Sequence, residues 1–236
     1  VNKTFDVALH LGTFLGAVIY FRKDIAKYLG AWFRSIKARA VQTTDERLAW
    51  CLVIGTLPGA FVGAVFEDTI EKKLGKPWLI AVMLAVFGVI LYLVDRWSRR
   101  DRDIDDIRFR DALIIGVAQA VALQPGVSRS GVTITAARAL KIKREDAARF
   151  SFLMSLPIIG GAGLFKIQHI VDGLHGNAGP FVWGFVASAV SGFLVIAWLL
   201  RFLRTRDFAP FAMYRIAVAA LVLSIIAAGV RPASGL

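Results

Sequence analysis

Two apolar runs, 112–123 and 132–140, flank the polar stretch Gln124-Pro125-Gly126-Val127-Ser128-Arg129-Ser130-Gly131. Neither run approaches the roughly 20 apolar residues that a bilayer crossing takes. Placed among longer apolar segments, the pair reads as a broken hairpin that enters the membrane and returns. Irregular backbone facing lipid would leave N–H and C=O groups unpaired at several kcal/mol each, so this tip demands a wet cavity enclosed by protein. The rest of the chain must build that cavity.

The tip's composition says what the cavity would hold. An ionised residue at membrane depth is costly and normally partnered, and the fork of Arg129 suits two oxygens of a phosphate or carboxylate. Ser128 or Ser130 can cap a helix beginning near Gly131, whose free N–H groups and positive dipole end attract an anion. Thr133, one turn further, adds a hydroxyl, and the glycines let a ligand approach the backbone. Together these residues describe an oxyanion pocket inside a membrane. The competing reading is an ordinary turn with Arg129 snorkelling to the surface.

Six longer apolar segments, 5–21, 48–66, 78–94, 150–167, 181–200 and 211–228, surround the hairpin. With 57% hydrophobic residues and a mean hydropathy of +0.62, the chain is predicted to be a polytopic helical membrane protein. Its net charge of +12 would suggest nucleic acid in a soluble protein, but no soluble module is visible to carry such binding. The cations fall instead between the spans. Threading the chain places 21 of its 29 Lys and Arg residues in the segments 22–47, 95–111, 138–149 and 201–206, which are therefore assigned to the cytoplasm. Both flanks of the hairpin lie on that side.

Local features follow from the same threading. Segment 22–47 is predicted as a separate interfacial amphipathic helix. Gly55, Gly59 and Gly63, spaced by four around Pro58, predict close helix packing and a kink. Residues 67–76 read as a short outer loop, and 95–111, with Asp103, Asp105 and Asp106, as a solvated loop rather than a metal site. His169 and His175, in the outer loop 168–179, have no other ligand nearby. Arg215, near the inner end of its span, is expected to snorkel. Asp6 and His10 stand about one turn apart on one helix face. The single cysteine, Cys51, rules out a disulfide framework, and no cleavable signal peptide is visible.

The first three spans and the last three run in opposite senses, which predicts an inverted repeat with its site near the midplane. The expected fold is thus an all-α polytopic membrane protein of about six transmembrane helices plus a re-entrant helical hairpin. Its first repeat would occupy 1–94, a cytoplasmic loop 95–111 and the second repeat 112–230. A matching first hairpin would stand before residue 1; with a valine at the start, the chain reads as shortened at its N-terminus.

The stretch Pro125-Gly-Val-Ser128-Arg129-Ser130-Gly131-Val-Thr133, with Gln119 upstream, resembles the second signature of the bacterial undecaprenyl-diphosphate phosphatases, the bacitracin-resistance protein family. Thr4-Phe5-Asp6-Val-Ala-Leu-His10-Leu-Gly12 and Phe211-Ala-Met-Tyr214-Arg215 also resemble stretches of that family. The resemblance implies a multi-pass enzyme of the bacterial inner membrane that removes the terminal phosphate of undecaprenyl diphosphate, recycling the lipid carrier for peptidoglycan and conferring bacitracin resistance. It implies catalytic roles for Ser128, Arg129 and Ser130, and phosphate contacts from Arg129, Ser130, Gly131, Thr133 and Gln119.

It also implies a divalent cation, Mg or Ca, whose ligands would belong to the family's glutamate-rich first signature. That signature is not present here, so the nucleophile and the acid–base group stay unassigned, with Asp6 and His10 as weaker candidates. The expected partners are a polyprenyl diphosphate lipid and the bilayer, with no nucleic acid; a homodimer stays open. The rival function is a transporter or flippase of a lipid phosphate or another anion, because broken helices at the midplane are also transporter architecture.

Overall fold

A computed structural model of the protein describes residues 3–165 and 178–229. The loop carrying His169 and His175 and the last two residues of the predicted span 150–167 lie outside the described residues. Among those described are eight α-helices: α1 (Lys3–Ala38), α2 (Thr44–Leu74), α3 (Pro77–Trp97), α4 (Phe109–Val121), α5 (Arg129–Ala139), α6 (Arg144–Phe165), α7 (Ala178–Leu203) and α8 (Ala209–Ala227). A single 3-10 turn, Ile104–Asp106, precedes α4. Among the described residues five helices are long and apolar enough to cross a membrane, over Phe5–Ala38, Thr44–Phe66, Pro77–Trp97, Gly179–Leu203 and Ala209–Ala227. The chain is an all-α polytopic membrane protein.

Two boundaries differ from those expected. The first span and the interfacial helix are one uninterrupted helix, α1, with Phe21, Tyr28, Ala31 and Ser35 all buried. No Pro or Gly separates Phe21 from Arg22, so the arrival of basic residues marks a change of surroundings and not the end of a helix. α2 begins earlier and ends later than its apolar run. A capping box starts it: Glu46 Oε2 accepts from the N–H groups of Gln42 (2.7 Å) and Thr43 (3.1 Å), while Thr43 Oγ1 accepts from Glu46 N (3.2 Å). At the other end it runs to Leu74, through most of the predicted outer loop.

The chain packs as two compact units, Val1–Ala49 with Phe152–Phe202 and Trp50–Ser151 with Leu203–Leu236. In the first, α1 and α7 meet on small residues. Gly12 and Gly16 lie against Phe185, Ser188, Ala189 and Phe193, and in return Gly192 lies against Thr13. Close approach of this kind gives van der Waals contact to helices that gain nothing from hydrophobic burial in lipid.

In the second unit, α3 packs against both α5 and α8. The α2 glycines receive α4 in register, as their spacing predicts: Gly55 faces Gly116, Gly59 faces Gln119 and Gly63 faces Leu123. A buried ionic node ties four helix ends together. Asp95 on α3 accepts from Arg138 Nε (2.8 Å) at the end of α5, from Arg144 Nε (2.9 Å) at the start of α6, and from Phe208 N (3.3 Å) just before α8. Arg138 is fully buried and also donates to the carbonyls of Ser98 (3.0 Å) and Arg99 (3.1 Å). Buried charges persist only when paired and bonded this completely.

Candidate functional site

The hairpin is two short helices, α4 with 13 residues and α5 with 11, each under about 20 Å long at 1.5 Å per residue. Its base is clamped. Asp111 accepts from Arg108 N (2.9 Å) and pairs with Arg102, which also donates to Leu140 O (3.1 Å). One guanidinium therefore holds the entry and the exit of the hairpin together. Asp103 pairs with Lys143, so the aspartates of this loop serve structure.

The tip is built by the breakers that the sequence places there. α4 unwinds through shortened bonds, Ala122 N to Gln119 O (3.0 Å) and Leu123 N to Ala120 O (3.2 Å), before Pro125 removes a donor. Gly126 has φ +91°, and a Cβ there would overlap the carbonyl oxygen of Ile80 on α3, so glycine is required twice over. Ser128 follows with φ 71°, an uncommon conformation for a residue with a side chain. Its hydroxyl accepts from Gly131 N (3.3 Å), making it the N-cap of α5.

That cap leaves a donor-rich opening. Among the described residues the Arg129 guanidinium has no hydrogen-bond or ion-pair partner, and Arg129 is exposed at the first position of α5. Ser130 is half-buried, and its hydroxyl is likewise unpartnered among the described residues. Helix geometry leaves the first N–H groups of α5 pointing the same way, at the positive end of the dipole. Thr133 is 1% exposed, and its Oγ1 lies 2.9 Å from Arg129 O and 2.6 Å from Ser151 Oγ on α6. It secures the first turn of α5. Gln119 is buried in the α2–α4 seam beside Gly59.

Arg215 is the residue that reading the chain from its ends misjudges. Rather than snorkelling, it is 8% exposed and reaches from α8 into the hairpin, where Nη2 donates to Gly126 O (3.0 Å) and Val127 O (2.8 Å) and Nε to Leu84 O (3.3 Å). Gly131 makes room for it: a Cβ there would stand 2.6 Å from Arg215 Nη1. The carbonyls of an unwound tip need donors in a membrane, and a forked cation supplies several at once. The signal available in the sequence was an arginine inside an apolar span.

Asp6 and His10 belong to the other compact unit. They share an exposed face of α1, where His10 Nδ1 donates to Asp6 O (2.8 Å). Among the described residues no three His, Cys, Asp or Glu side chains are grouped to hold a metal ion, and residues 119–133 contain no carboxylate. The described side chains therefore do not by themselves form a divalent-cation site.

The arrangement has the chemistry to bind an anion: among the described residues an unpaired guanidinium and a free hydroxyl stand in the first turn of α5, at a tip braced by a second guanidinium. Residues 1–221 match the profile of the family described as bacitracin resistance protein BacA. The undecaprenyl-diphosphatase of Pelobacter propionicus is 46% identical over 230 residues, covering 96% of this chain and 84% of that protein. Those of Thermobifida fusca (40% over 236 residues, 99% and 81%) and Anaeromyxobacter sp. (45% over 235 residues, 98% and 77%) are similar.

Proposed function

The chain belongs to the bacitracin resistance protein BacA family, and on that premise we propose that it hydrolyses undecaprenyl diphosphate to undecaprenyl phosphate and phosphate in the bacterial inner membrane. It is a multi-pass membrane hydrolase acting on a lipid diphosphate, an activity that returns the carrier to peptidoglycan synthesis. The observation that carries the reading is the broken helix at 122–128, with Arg129, unpartnered among the described residues, at the open end of α5.

Cleaving a diphosphate requires neutralising charge on the transferring phosphoryl oxygens, an in-line attack and a stabilised leaving group. Arg129 meets the first need, with the Ser130 hydroxyl and the N–H groups at the start of α5 completing the cradle. Ser128 shapes it by capping the helix. Thr133 and Gly131 act from beneath, the one by locking the first turn and the other by admitting Arg215. Arg215 is a positioning residue, since its donors are spent on the tip's own carbonyls.

Replacing Arg129 tests the assignment. Because it has no partner among the described residues, Arg129→Gln is expected to leave the melting temperature unchanged while cutting phosphate release about 1,000-fold, the scale of losing a phosphoryl-clamping arginine. The check is phosphate release from a polyprenyl diphosphate in detergent. Wild-type turnover in the variant would remove Arg129 from the site. Movement of intact lipid phosphate without release would favour the transporter reading.

A further inference from the structure

In the second unit, the start of α6 and the residues that follow α3 and α7 surround a cavity of about 210 Å³, with Leu203 as its apolar wall. Six charged side chains line the rest, and most of that charge is spent. Arg144 Nε stands 2.9 Å from both oxygens of Asp95. Arg204 holds Glu145 through Nε (3.0 Å) and Nη2 (2.9 Å). Lys143 Nζ lies 2.5 Å from Asp103 Oδ1. Two charges are left over, one of each sign. Arg100 is exposed and has no hydrogen-bond or ion-pair partner among the described residues. Asp146 is half-buried; it accepts from the N–H of Ile104 but pairs with no cation among the described residues.

Those two groups define what the cavity can take. Desolvation, with Asp103 and Glu145 nearby, outweighs the pull of Lys143 and pushes the Asp146 carboxyl up to about 6. A cation placed beside it would reverse that shift. An anion set on Arg100 alone would face Asp146, and a cation set on Asp146 alone would face Arg100. A guest that carries both charges answers both groups. The space is well beyond what one or two waters fill. Depth narrows the choice further. Arg100 and Arg204 stand just past the ends of the spans Pro77–Trp97 and Gly179–Leu203, in basic segments assigned to the cytoplasm. Basic pockets between membrane helices on that side are where lipid headgroups bind.

We propose that this cavity binds the headgroup of a cytoplasmic-leaflet phospholipid that carries both a phosphate and a primary ammonium, with Arg100 on the phosphate and Asp146 on the ammonium. A guanidinium meets phosphate oxygens through paired N–H donors. A primary ammonium brings three N–H donors to a carboxylate, whereas a quaternary one brings none. Phosphatidylethanolamine therefore fits, and phosphatidylcholine, of the same net charge, fits less well. Phosphatidylglycerol leaves Asp146 without a counter-ion. The inference stands apart from the hydrolase reading, since the cavity and the hairpin tip share no residue.

Native mass spectrometry in neutral detergent tests it, with these three lipids carrying identical acyl chains. The wild type is expected to bind the ethanolamine lipid about fivefold more tightly than the choline lipid, the scale of one partly exposed charged contact. The glycerol lipid should bind no more tightly than the choline lipid. Asp146→Asn should bring the ethanolamine and choline lipids to equal affinity, and Arg100→Gln should weaken both about fivefold. Neither side chain has an ion-pair partner to lose, so both variants should fold. Arg129→Gln should keep the preference. Equal binding of the ethanolamine and choline lipids by the wild type overturns the proposal, as does a preference that survives in Asp146→Asn or binding unchanged in Arg100→Gln. Tightest binding of the glycerol lipid would mean a plain anion site, and a preference lost in Arg129→Gln would put the lipid at the tip; either overturns it. Soluble phosphoethanolamine that raises the wild-type melting temperature while the lipids bind alike would overturn the leaflet as the source.

Discussion

Arg215→Met is the most informative single change, because it keeps the bulk of the side chain and removes the donors on which the tip depends. In the native structure Nη2 serves Gly126 O and Val127 O, and Val127 is completely buried. A hydrogen bond from a charged donor contributes about 1.5–3 kcal/mol net, so the two tip bonds together sum to about 3–6 kcal/mol. Relief from no longer burying a cation offsets part of that. A net local cost of about 3 kcal/mol corresponds to roughly a 100-fold larger opening equilibrium for the tip. The effect should stay local, since the ionic node at Asp95 and the clamp at Arg102 are untouched. Hydrogen exchange in nanodiscs reads it directly: the amides of 123–131 are expected to exchange about 100-fold faster, with the α1–α7 segments unchanged. Phosphate release should fall at least about tenfold as the cradle loses its shape. Arg215→Lys, a point charge that cannot fork between two carbonyls, should fall between the two. Exchange at the tip within about threefold of wild type in Arg215→Met would refute the view that this guanidinium holds the hairpin open.

Four further changes probe the surroundings. Asp95→Asn removes the charge that two buried arginines share, and is expected to destabilise the protein by about 3–5 kcal/mol, read as a lower melting temperature and reduced yield of inserted protein. Gly116→Ala would drive a Cβ to 2.5 Å from Gly55 O and is expected to push α4 off α2 and lower the melting temperature, whereas Gly161→Ala, with nothing within 4 Å among the described residues, should be neutral or stabilising by up to about 1 kcal/mol. Desolvation, with Asp103 and Glu145 nearby, pushes Asp146 up to about 6 from its usual 3.8. A carboxyl raised on folding destabilises the native state above that pKa, and the cost is relieved as pH falls from 6 towards 3.8. Asp146→Asn is therefore expected to raise the melting temperature at pH 7.5, by about 1 kcal/mol of stability once its part exposure is discounted, and to lose that advantage near pH 4.

The hairpin, the helical class and a serine cap were legible in the chain because each rests on neighbours within a few residues: two runs too short to span, a Pro-Gly break, and Ser128 and Ser130 at the start of the second run, of which only the fold selects Ser128. The glycine stripe of α2 was legible as a packing face for the same reason, since a spacing of four is a property of one helix. Charge was a poorer guide to helix ends. Arg22 and Lys23 open the basic stretch of α1, yet the helix continues unbroken through them to Ala38.

What the sequence could not decide is which distant groups would meet. The partners of Arg215 lie 131, 89 and 88 residues away, and those of Arg138 around the Asp95 node are 39 to 43 residues distant. An arginine in an apolar span looks the same on paper whether it snorkels to water or braces a loop. Only packing, which excludes water and leaves specific carbonyls in want of donors, separates the two outcomes. The burial of the Gln119 amide belongs to the same category: the residue is written in the chain, but the helix that covers it at Gly59 is decided by the fold.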